Sequence, residues 1–63
     1  MFKLVYIVQC VSTGEFLTPR LNYTFNFNLA GRFNDKQSAI ETAFNDLDMD
    51  FIIYEFYERE NAK

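Results

Sequence analysis

Leu21-Asn22-Tyr23-Thr24-Phe25-Asn26-Phe27-Asn28-Leu29 alternates without a break. Each odd position is apolar and each even one is a small polar residue. A period of two over nine residues predicts a strand across 21–29 with one face buried and the other wet. The rest of the chain is read outward from that strand.

Upstream, Phe2 to Val11 predicts a first strand. Its even residues are Phe2, Leu4, Tyr6, Val8 and Cys10, and its odd face, with Val5, Ile7 and Val11, is largely apolar too. A strand apolar on both faces belongs at the centre of a sheet. Ser12-Thr13-Gly14-Glu15 is a turn in which Gly14 is free to take positive φ. Residues 16–18 form a short extended stretch, stopped by Pro19, which cannot donate to a ladder. Downstream, Ala30-Gly31 breaks the alternating segment.

Asn34 stands as a helix N-cap, with Gln37 in capping-box position and Asp35 in the first turn. The helix covers about 35–47, with Ala39, Ile40, Ala43, Phe44 and Leu47 as its apolar stripe. A last strand spans 51–57, and residues 60–63 form a frayed tail. The order is β-β-β-α-β, an α+β domain of three to four antiparallel strands packed on one helix. The 63 residues form a single domain.

Composition narrows the chemistry. There is no histidine, Cys10 is the lone cysteine, and Gly14 and Gly31 are the only glycines. An internal disulfide, a Cys/His zinc set and a phosphate-cradling glycine loop are therefore excluded. Nothing can activate Cys10 as a nucleophile, and it is expected to be a buried, inert thiol. No enzyme and no cofactor are expected. Eight Phe and four Tyr supply the apolar mass instead.

No signal peptide and no run long enough to cross a bilayer is visible. The chain is expected to be complete, cytosolic and independent of membranes. Residues 1–40 hold four basic against two acidic residues, whereas 41–60 hold seven acids against Arg59 alone. The acidic end calls for a partner with a basic surface and makes direct nucleic-acid binding unlikely.

Asp46, Asp48 and Asp50 open like a calcium loop. Phe51 stands where its glycine belongs and Tyr57 where its bidentate glutamate belongs, so a metal is not expected. Carboxylates at a helix C-terminus oppose the dipole. They form either a solvated loop or an acidic rim that pairs with basic groups or imitates phosphates.

One helix covers one sheet face. If Leu4, Tyr6, Val8, Phe25, Phe27, Ile52, Tyr54 and Phe56 point at it, then Val5, Ile7, Phe51, Ile53 and Tyr57 point away. Small soluble monomers seldom expose a large apolar patch. Either the sheet curls, or Phe16, Leu17 and the termini cover this face, or it binds a second copy or another protein. The expected partner-binding set is Val5, Ile7, Asp46, Asp48, Asp50, Phe51, Ile53, Glu55 and Tyr57.

Thr13-Gly14-Glu15-Phe16-Leu17-Thr18-Pro19, then Asn28-Leu29-Ala30-Gly31-Arg32-Phe33 and Ser38-Ala39 opening a helix, together resemble small proteins of bacteriophages and prophages. The resemblance covers roughly residues 2–57. The chain departs from the pattern in lacking a tryptophan after Pro19 and in having Gly31. The resemblance implies a non-enzymatic accessory protein in the host cytoplasm. It would bind and inhibit or modulate a bacterial host protein, such as a defence or CRISPR component. The alternatives are a homodimeric structural protein and an acidic nucleic-acid mimic.

Overall fold

The computed structural model describes residues 1–59, so the tail expected at 60–63 lies outside the described residues. Four strands and one helix are present: β1 (Phe2–Cys10), β2 (Phe16–Leu17), β3 (Tyr23–Thr24), α1 (Lys36–Leu47) and β4 (Phe51–Arg59). The sheet is antiparallel in the order β3-β2-β1-β4. This is the α+β arrangement expected, with β1 central.

The long strand at 21–29 is not there. Only Tyr23–Thr24 pairs, with Phe16–Leu17. Thr18 O accepts from Leu21 N at 3.0 Å, and Leu21 is left at φ 64°. Further on, the polar set turns the chain. Thr24 Oγ1 accepts from Asn26 N, and Asn26 Oδ1 accepts from Asn28 N, each at 3.0 Å. Ser, Thr and Asn side chains that bond the backbone two residues on compete with a strand ladder. They win here, and Phe27–Leu29 coils into a 3-10 turn capped by Asn26.

The chain then returns to the sheet. Gly31 N donates to Leu17 O at 2.8 Å, and Phe33 and Tyr6 exchange two backbone bonds of 2.9 Å. A Cβ on Gly31 would sit 3.2 Å from the Pro19 nitrogen, so this crossing is tight and favours glycine.

The helix begins one residue later than expected. Asp35, not Asn34, is the cap, and its carboxylate accepts from Ser38 N and Oγ. Gln37 bonds forward to Glu41 and not back to a cap. At the far end, Leu47 O accepts from Asp50 N at 3.0 Å across a turn in which Asp48 takes φ 59°, ψ −115°. Those angles are those of a type II′ turn at the position that favours glycine.

Two layers of packing flank the sheet. On the helix side Val8, Leu17, Ala39 and Ala43 are buried, and Tyr6, Phe33, Leu47, Phe51 and Ile53 pack against them. On the outer side Val5 and Ile7 are 0% exposed. The register explains their cover. Val5 lies opposite Phe56, Ile7 opposite Tyr54, and Gln9 opposite both Ile52 and Phe16. The Phe27 ring reaches Phe16 and Phe56, each at 5.5 Å between centroids, and closes over this face.

Arg32 fixes the roof in place. It donates to the carbonyls of Phe27 and Ala30, pairs with Glu58 at 3.0 Å, and lies 5.1 Å from the Phe27 ring centroid. Covering by the termini or by curling is not needed, because a turn of the chain does the work.

Candidate docking surface

The expected partner-binding residues separate into three groups. Val5 and Ile7 are on the face away from the helix, as expected, but they are sealed and cannot touch a partner. Phe51 and Ile53 are on the other face. Cys10 lies opposite Phe51 and Val8 opposite Ile53, so odd residues of β4 share the helix side with even residues of β1. The same parity turns Ile52, Tyr54 and Phe56 to the outer side. β4 is apolar on both faces because both are packed, so its pattern carries no parity signal. Glu55 and Tyr57 follow the odd parity onto the helix side and remain exposed, Tyr57 at 69%.

The three aspartates are not brought together into a site. Asp46 accepts from the Tyr23 hydroxyl at 2.8 Å, tying the helix to β3. Desolvation, this bond and the charge of Asp46 push the Tyr23 pKa up to about 12. Asp50 closes the end of β1: one oxygen accepts from Ser12 N at 3.1 Å, the other from the Cys10 thiol at 3.4 Å. Hydrogen bonding from Ser12, helped by Cys10 and opposed by desolvation, holds the Asp50 carboxyl below its ordinary value. Asp48 occupies the strained turn and is exposed. Among the described residues no group of three or more acidic, Cys or His side chains is placed to hold a metal.

Besides Tyr57, apolar side chains are exposed where the sequence does not indicate it. Ile52 and Tyr54 alternate on the outer face of β4, each 43% exposed, beside the Phe27–Phe56 ring pair. They form a ledge in which Tyr54 stands beside the buried Ile7 and Ile52 beside Gln9. Sequence reasoning assigned Ile52, Tyr54 and Phe27 to the core. For Phe27 the signal that could have exposed the error is the run of Thr24, Asn26 and Asn28, which are turn formers.

A recess of about 380 Å³ lies between Thr18, Leu21, Gly31 and Thr42. Its one charged wall residue, Arg32, is already engaged by Glu58.

β4 is also the sheet's long edge. Tyr6 directs its backbone groups to Phe33, and Val11 N donates to Asp50 O. By the antiparallel alternation, even residues of β4 bond to β1, and Ile53, Glu55 and Tyr57 aim their N–H and C=O groups outward. Among the described residues no backbone group pairs with that edge.

No family model matches the chain, and neither a curated protein nor a solved structure matches it. Among the described residues no helix is long and apolar enough to cross a membrane. Fold and surface together define a small α+β protein with one nine-residue open edge and an aromatic ledge beside it.

Proposed function

We propose that this chain is a non-enzymatic phage accessory protein that binds a bacterial host protein in the host cytoplasm and inhibits or modulates it. The observation that carries this reading is the Ile52–Tyr54 ledge, half-exposed on the sheet and continued by the Phe56–Phe27 ring pair. Tyrosine on a firm platform suits a docking hot spot, because its ring buries area while its hydroxyl finds a partner. Glu55, Asp48 and Glu41 are exposed and acidic, which favours a partner with a basic surface and speeds its approach. The resemblance to phage proteins supplies the host context.

The test is affinity purification from a bacterium expressing the tagged chain, run beside the double variant Ile52→Glu/Tyr54→Ala. The reading expects a host protein retained by the wild type, lost with the variant, and associating more slowly at high salt. Equal retention by both chains, or no host protein with either, would refute it.

A further inference from the structure

We propose that the outer edge of β4 pairs with the same edge of a second copy, in antiparallel fashion about a two-fold axis at Phe56, giving one continuous eight-stranded sheet. The inference stands apart from the docking reading, because it uses the backbone edge and not the face of the sheet.

The two edges of the sheet differ. β3 ends it with two residues, whereas β4 ends it with nine. Short edge strands resist pairing, and long ones invite it. The outward groups of β4 belong to Ile53, Glu55 and Tyr57, with Phe51 and Arg59 continuing the alternation, and a symmetric partner must bond to residues of this set.

Charge selects the register. With the axis at Glu55, two carboxylates would oppose each other across the strands, which is destabilising. With the axis at Tyr54, Asp50 would face Glu58 of the second copy, which Arg32 already neutralises, and Arg59 would lie opposite Met49, so no ion pair would form between the strands. With the axis at Phe56, Glu55 bonds opposite Tyr57 and Ile53 opposite Arg59. Arg59 of each chain then lies diagonal to Glu55 of the other, on the same face. The two Phe56 rings meet at the axis in a non-hydrogen-bonded pair, where side chains come closest. Glu58, already neutralised by Arg32, falls opposite Tyr54.

Isologous pairing of this kind is closed: each copy offers one long edge and uses it once. It covers the outward groups of Ile53, Glu55, Tyr57 and Arg59 and leaves the roof of Phe27 outside the strand–strand contact.

Sedimentation equilibrium on the full chain across the micromolar range tests the proposal. The wild type is expected to be a dimer. Arg59→Glu turns two symmetric attractions into repulsions and is expected to weaken dimerisation about tenfold. Arg59 sits at an exposed strand end, so the variant's fold is checked simply by its circular dichroism. The double variant Glu55→Arg/Arg59→Glu restores the pairing with its signs exchanged and is expected to regain most of the loss. A wild-type monomer throughout the range would overturn the proposal. So would a dimer indifferent to Arg59→Glu, or one that the double variant fails to rescue.

Discussion

Replacing Phe27 with alanine removes the roof of the outer face, and replacing Phe25 removes a ring that leads nowhere. Phe27 is 41% exposed, so about three fifths of its surface is buried against Phe16, Phe56 and the Arg32 guanidinium. Full truncation of a buried Phe costs about 3–5 kcal/mol, so Phe27→Ala is expected to cost about 2 kcal/mol. Phe25 is 71% exposed, and Phe25→Ala is expected to cost below about 1 kcal/mol.

A domain of this size has about 3–5 kcal/mol in hand, so the first change takes roughly half of it. With a urea slope of about 1 kcal/mol/M, the midpoint falls by roughly 2 M for Phe27→Ala and by less than half of that for Phe25→Ala. Urea unfolding followed by circular dichroism reads both. Equal losses, or a larger loss at Phe25, would mean that the segment packs as a regular strand and that the roof does not exist.

Asp48→Gly relieves the type II′ position and removes a carboxylate from the helix C-terminus. It is expected to gain about 1 kcal/mol, seen as a rise in Tm of about 5 °C. Tyr23 is held neutral in the folded state well above its ordinary pKa of 10.0. Its contribution is full below pH 10 and is lost as pH rises toward about 12, so Tyr23→Phe flattens the alkaline fall of stability across that window. Asp50 has the opposite sign. Its folded carboxyl titrates below the ordinary 3.8, so its contribution is present above that pH and is lost as pH falls through the acid range. Asp50→Asn lowers stability at neutral pH and flattens the acid limb of a pH series of urea melts.

The helix was legible because Ala39, Ala43 and Leu47 recur at helical spacing with a polar back. Its start slipped by one residue because Asn34 and Asp35 are both competent caps and the local geometry chose the acid. The segment 21–29 was misread for a physical reason. Alternation reports which side chains are apolar, whereas Thr24 and Asn26 spend their side chains on their own backbone. A nine-residue strand and a turn capped by a 3-10 coil can therefore share one pattern. The candidate site suffered from the same ambiguity. With both faces of the sheet packed, nothing in 51–57 shows whether odd or even residues face the helix. The register Cys10↔Phe51 decides it, and it also exchanges the assumed exposures of Ile53 and Tyr54.

The open edge of β4 is best tested by amide exchange along that strand, measured residue by residue at low and high protein concentration. At the lowest concentration Ile53, Glu55 and Tyr57 should exchange quickly, while Tyr54 and Phe56, bonded to β1, stay protected. Raising the concentration should slow the first set and leave the second unchanged. Equal protection of both sets at a dilution where sedimentation finds only monomer would mean that the edge is already paired within one chain, which contradicts an open β4 edge.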